Sequence, residues 1–169
     1  MTRMKASKTF FLSVAMLAAS LLQTGAVAEP LKNLPRHTVP LSAGELRKLY
    51  ADKTWNWEAG GARFIGKDRK LIAYSEDGGV PTIAEGRWEV NNQGRLCMVA
   101  VWVTKEARAK AKSCFRLVRD RGTIYQRREP KGNWYVLKTF MPKPDDEFNK
   151  FVSEDTISSN LERIKQGLK

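Results

Sequence analysis

Between Thr54 and Phe140, short apolar and aromatic runs are cut by turn residues every 8 to 14 positions or so. That punctuation limits the fold more than any other feature of the chain. Parallel strands need a crossover of a dozen or more residues, usually a helix, and this segment leaves no room for one. The runs are Thr54–Trp57, Ala62–Ile65, Leu71–Tyr74, Thr82–Val90, Leu96–Val103, Ser113–Val118, Thr123–Gln126 and Trp134–Phe140. Between them stand groups such as Glu76-Asp77-Gly78-Gly79, Asn91-Asn92-Gln93-Gly94 and Asp120-Arg121-Gly122. Such residues suit turns and tolerate positive φ. The expectation is a mainly β fold, an antiparallel meander of about eight strands forming a small barrel or sandwich.

The N-terminus reads as an export signal. Arg3, Lys5 and Lys8 precede an apolar run from Phe10 to Leu22, and Ala26-Val27-Ala28 supplies the small-x-small pattern of a cleavage site. A run of about 13 residues is too short to cross a bilayer as a helix. The expectation is cleavage after Ala28, a periplasmic or secreted mature protein and no transmembrane segment. The remaining chain divides into an extended lead at 29–40, a β-rich domain with a short leading helix at 41–140, and a C-terminal helical segment at 141–169 that packs on the domain.

Both cysteines, Cys97 and Cys114, fall in the β-rich part. In an oxidising compartment an even, small count reads as a disulfide. The sixteen intervening residues exclude a C-x-x-C redox pair, and the single histidine, His37, leaves no metal site. If the two cysteines face each other in a hairpin, paired residue numbers sum to 211. Val103 then opposes Arg108, Thr104–Ala107 forms a four-residue turn, and Trp102 meets Ala109. Arg108, Lys110 and Lys112 alternate with alanines, so a strand places them on one face with Cys114 and Arg116. A helical turn over 104–112 competes, because Ala, Lys, Glu and Arg all favour helix.

Two helices flank the strands. Ser42 and Glu45 form a capping box, with Leu41 and Leu46 placed as a hydrophobic staple, for a helix running to about Ala51. A second opens at Ser153 and Glu154, with an apolar stripe of Ile157, Leu161, Ile164 and Leu168. Phe148, Phe151 and Val152 extend the apolar surface just before it. The stripe covers the sheet or meets a partner. Gly86-Arg87-Trp88-Glu89-Val90 resembles Gly132-Asn133-Trp134-Tyr135-Val136. In a strand each Gly would make room for the indole two residues on. Trp55, Trp57, Trp88 and Trp134 are either core filler or stacking platforms for a ligand.

The net charge of the full chain is +12. The signal carries three basic residues and no acidic ones, so the mature charge falls from +12 to +9. A basic surface implies an anionic partner or serves solubility alone. For an exported protein, nucleic acid is the partner to set aside. Acidic polysaccharide, a membrane surface and an envelope protein remain. Catalytic residues are hard to find: there is no G-x-S-x-G, no phosphate loop and no free cysteine once the bridge forms. Glu85 and Glu89, four apart in a strand, lie about 13 Å apart, beyond the roughly 6.5–9.5 Å of an inverting glycosidase pair.

Lys53-Thr54-Trp55-x-Trp57, Gly86-x-Trp88, Cys97-Met98 with Trp102, Cys114-Phe115 and Trp134-Tyr135-Val136 together resemble a family of small exported alphaproteobacterial proteins. That family is common in rhizobia and is known only as a domain of unknown function. The resemblance covers about residues 41–140. It implies export, a disulfide and a β-rich fold, and it transfers no site residue. The sequence therefore points to a non-enzymatic envelope protein without a cofactor that binds an anionic component through Arg108, Lys110, Lys112 and Arg116, with Arg119, Arg121, Arg127 and Arg128 as further candidates. The alternatives are a protein-directed module, presenting a loop tip such as Thr104–Ala107 or Glu76–Val80, and a hollow-barrel carrier of small molecules.

Overall fold

The computed structural model describes residues 30–168. The signal segment and its cleavage point lie outside the described residues. Among the described residues ten antiparallel strands form one sheet: β1 (Val39–Pro40), β2 (Lys53–Trp57), β3 (Gly60–Phe64), β4 (Lys70–Ser75), β5 (Thr82–Val90), β6 (Arg95–Val103), β7 (Arg108–Asp120), β8 (Thr123–Arg128), β9 (Tyr135–Lys138) and β10 (Phe151–Val152). The order is β10-β2-β3-β4-β5-β6-β7-β8-β9, with β1 pairing the end of β7. Thus β2 to β9 are the eight strands that the turn signals mark out, joined as a meander. Trp55 of β2 meets Phe115 of β7, five strands away, at a centroid distance of 5.4 Å. Such contact requires the sheet to curl.

Curling separates two faces. The inner face buries Ala62, Phe64, Leu71, Trp88, Leu96, Phe115, Leu117 and Leu137. α1 (Ala43–Tyr50) plugs this interior with Leu46, Leu49 and Tyr50. Its capping box forms as the sequence expects: Ser42 Oγ accepts from Glu45 N at 3.2 Å, and the Glu45 carboxylate accepts from Ser42 N at 2.8 Å. Leu41 and Leu46, the staple pair, are both buried. Inside, the fully buried Gln126 accepts from Tyr50 Oη at 2.6 Å and donates to Tyr135 Oη at 2.6 Å. Both ends of its amide are satisfied, which a buried polar group requires. Burial pushes both tyrosine hydroxyls well above their ordinary range, so they remain neutral.

α2 (Ser158–Gly167) lies on the opposite, outer face. Leu161 and Ile164 pack there with Ile83, against Ile72, Tyr74 and Val103. Its stripe covers sheet, but the helix begins later than Ser153. Val152 is still paired to Thr54, and Thr54 Oγ1 donates to Glu154 O at 2.7 Å. The Asp155 carboxylate then accepts from the backbone N–H groups of Ile157 and Ser158, both at 3.0 Å, and the helix starts there. Nor do Phe148 and Phe151 extend the apolar surface of α2. They stack at 5.1 Å within the inner core, where Phe151 also stacks on Trp55. The chain passes from the inner face to the outer at the β2 edge, which divides the two apolar groups.

The repeated Gly-x-Trp unit has a different physical basis in each copy. A Cβ at Gly86 would lie 2.1 Å from Val99 O and 2.5 Å from Ala100 Cα, so this glycine admits the neighbouring backbone, not the indole. Gly132 is not in a strand at all. It closes the β8–β9 turn through Gly132 N to Arg128 O at 2.7 Å.

Candidate anion-binding face

Residues 104–112 are a turn and strand, not a helix. Cys97 pairs with Cys114 and Val103 with Arg108, the register whose numbers sum to 211. Thr104 N donates to Ala107 O at 2.9 Å, closing the four-residue turn, and the Thr104 hydroxyl accepts from the N–H groups of Glu106 and Ala107. Gly94, in the turn at the other end of β6, has φ of +74°, and a Cβ there would lie 2.2 Å from Leu117 O. Only glycine lets that turn sit against β7. The Cys97–Cys114 disulfide forms, with Cα atoms 4.1 Å apart, on the outer face.

β7 has two halves. Phe115–Asp120 pair with β8, whereas Arg108–Lys112 have β6 on one side and no strand on the other. Every residue from Arg108 to Lys112 is exposed. Among the described residues Arg108, Lys110 and Lys112 have no ion-pair partner. Charged side chains along an open edge also prevent self-association by strand pairing, so this ladder has a purely structural use.

That use does not reach the next row. Lys70 of β4 is directly opposite Arg87 of β5, and the same row continues through Val99 to Lys112. Lys70, Arg87 and Lys112 are all exposed. Like charges directly opposed in a sheet are destabilising, and β4 and β5 are interior strands with no edge to guard. The hairpin arithmetic does not reach them: β6–β7 pairs sum to 211, but β5–β6 pairs sum to 186 and β4–β5 pairs to 157, registers that the cysteines do not set.

A second row holds Arg95, Arg116 and Arg127 side by side on β6, β7 and β8. Here one carboxylate intervenes. Glu129 Oε2 lies 2.6 Å from Arg95 Nε, and Glu129 Oε1 lies 2.9 Å from Arg116 Nε. Burial raises the Glu129 carboxyl, but the hydrogen bonds from Arg95 and Arg116 outweigh it and hold it below the usual range. Arg116 also donates to Gln93 O at 2.8 Å. It is therefore bound into the fold, unlike the other three members of the expected site. Of the four further arginines, Arg127 alone lies on this face. Arg119 pairs with Glu45 at 3.1 Å beside α1, Arg128 reaches Ser113 on the inner side, and Arg121 sits in the β7–β8 turn.

The tryptophans divide. Trp55 and Trp57 meet edge to face at 6.4 Å on the inner side, and Trp55 Nε1 donates to Glu147 at 3.2 Å. Trp88 is fully buried and donates to Ile65 O at 3.0 Å. Trp134 stands apart beneath the Arg127 guanidinium, 5.0 Å from its carbon. Glu85 is bound to Lys165 of α2 at 2.7 Å. Among the described residues no group of three or more His, Cys, Asp or Glu side chains is placed to hold a metal ion. No helix among them is long and apolar enough to cross a membrane.

No curated protein and no solved structure matches the chain. A family model described as a protein of unknown function, DUF995, matches residues 17–157, most of the chain and well beyond the β-rich part, and the chain belongs to that family.

Proposed function

We propose that the protein is a non-enzymatic exported envelope protein, periplasmic or secreted, that binds an anionic envelope component through the outer face of its sheet. Acidic polysaccharide and anionic lipid head groups are the two chemistries that fit. The observation that carries this reading is the pair Lys70 and Arg87, cations directly opposed on interior strands with no ion-pair partner among the described residues, in a row that runs on through Val99 to Lys112. The repulsion within it disfavours folding, and a polyanion laid across the strands would relieve it. Arg108 and Lys110 continue the patch along the open edge. Export is supported by the N-terminal charge and hydropathy pattern and by the disulfide.

The test is retention of the purified mature protein on washed envelope fractions across a salt series. Retention that collapses between roughly 50 and 300 mM salt, and that is lost in a Lys70→Glu/Lys112→Glu variant, is the expected result. Retention that ignores both salt and charge reversal would overturn it.

A protein-directed module has one observation of its own. The two loop tips, Glu76–Val80 and Thr104–Ala107, converge beside the end of α2. Val80, Pro81, Lys105, Ile164 and Leu168 line a groove of about 350 Å³ there. Salt-tolerant binding lost on Val80→Asp would favour that reading. The aromatic filling of the interior, from Trp55 and Phe64 to Phe115 and Phe151, weighs against a hollow carrier.

A further inference from the structure

The disulfide is the floor of a recess. Arg95, Lys112, Cys114, Arg127, Glu129 and Pro130 line a volume of about 530 Å³ on the outer face. Three of these side chains are cationic and one is anionic. The anion is spent: one oxygen of Glu129 is taken by Arg95 and the other by Arg116. An incoming oxyanion therefore meets a carboxylate whose charge is already matched twice over.

Arg127 is in the opposite situation. Its guanidinium is laid over Trp134, which orients the plane, and its Nε is buried without a hydrogen-bond partner. Among the described residues it has no carboxylate within ion-pair distance. A half-buried cation with an unmet donor is costly to keep, and here it directly opposes Arg116, a second cation. A guanidinium held flat by an aromatic ring is preorganised to meet a planar or tetrahedral oxyanion through its remaining N–H groups. The floor adds rigidity, because a disulfide between directly paired strands fixes the spacing of the walls.

From this geometry we infer that the recess is a discrete pocket for a sugar-sized ligand bearing one oxyanion group, phosphoryl or carboxylate, with Arg127 and Lys112 as its ligand-facing cations. Glu129 is a positioning residue that holds Arg95 and Arg116. The recess is broad and open to solvent, and its volume of about 530 Å³ admits a sugar unit where a bare phosphate would leave it mostly unfilled. The inference deepens the proposed function and rests on the outer face being the binding surface. Lys112 belongs to both the open ladder and the pocket, so the pocket is where a single unit of an anionic polymer would be read.

Isothermal titration of the mature protein, with glucose 6-phosphate, glucuronate, glucose and inorganic phosphate as separate probes, tests it. The expected result is saturable 1:1 binding of glucose 6-phosphate or glucuronate, at least about tenfold tighter than glucose. Which of the two binds tells phosphoryl from carboxylate chemistry. Arg127→Lys, which keeps the charge and loses the fork, should weaken binding about tenfold, while Lys48→Glu, an exposed charge on α1 away from this face, should change it by less than about twofold. Thermal unfolding of Arg127→Lys shows whether the fold survives; if it does not, Lys112→Ala on the exposed strand takes its place. Equal loss in Arg127→Lys and Lys48→Glu would reduce the pocket to diffuse charge and overturn the inference. Inorganic phosphate binding as tightly as the sugar phosphate would overturn the sugar-sized occupant. Sugar binding with no envelope retention would leave the pocket standing and remove the polymer reading; retention with no sugar binding would do the reverse.

Discussion

The two halves of β7 are one continuous strand with one alternating pattern, yet they do opposite things. Phe115 and Leu117 point inward into the core, and Leu117 is fully buried between Gln126 of β8 and the Gly94 turn. From Arg108 to Lys112 the inward positions are alanines, the outward ones are cations, and both are exposed. The difference is one neighbour: β8 ends opposite the disulfide, so only one half has a strand on each side. Burial in a sheet follows from the lateral partner, and a strand that outruns its partner becomes surface. The disulfide stands at the junction of the two.

The comparison can be strained from its heaviest end. Leu117→Ala should cost about 3 kcal/mol or more in denaturant unfolding, as a large-to-small change in a packed core. A loss under about 1 kcal/mol would mean the buried half is not core. Replacing Cys97 and Cys114 together by alanine should remove about 3 kcal/mol, the chain-entropy value for a loop of this length. It should also raise the hydrogen exchange of Arg108–Lys112 more than that of Leu117. Equal change in both halves would show that the bridge does not divide them.

Next in size is Glu129→Gln, expected to cost about 1–3 kcal/mol by leaving Arg95 and Arg116 without their carboxylate. It also carries a pH signature. The Glu129 carboxyl is held below its unfolded value, so its contribution is complete above about pH 4.3 and is lost as the pH falls through the lower folded value. Glu129→Gln should flatten that acid limb of the stability curve and leave the neutral region parallel to wild type. The smallest effect belongs to the open half. Lys110→Ala should change stability by no more than about 0.5 kcal/mol, yet it should lower envelope retention at low salt. A large stability loss there would mean that the ladder holds the fold together.

Much of this arrangement is legible in the order of residues alone. Two cysteines, one assumption of pairing and the alternation of Arg108, Lys110 and Lys112 are enough for the β6–β7 register, because a hairpin leaves few ways to close. Ser42 and Glu45 announce α1 for a local reason as well. What escapes is non-local. β10 is two residues long, and nothing in Phe151–Val152 says that it will pair with Trp55 and Thr54. Without that pairing, Phe148 and Phe151 look continuous with α2, when they lie on the other side of the sheet. Arg116 keeps the expected face but not its freedom, since Glu129 reaches it from the end of β8, a strand whose register the cysteines do not fix. Lys70 and Arg87 escape because neither stands in a run of charge; they meet only through the sheet.

The pairing of β10 with β2 also sets an order of events. Thr54 waits for a backbone carbonyl 100 positions further along the chain. In a chain that emerges from its N-terminus, β2 is made early and stays a bare flank while β3 to β9 are added one hairpin at a time. Only when the last few residues arrive can that flank be sealed and α2 be laid against the outside. Until then β2 is a bare border, and afterwards Phe151 and Val152 cover Trp55 and Thr54 while Arg108–Lys112 stays open. A chain stopped near residue 150 would hold nearly the whole sheet and still be sticky, so completion, more than length, decides whether it leaves its neighbours alone.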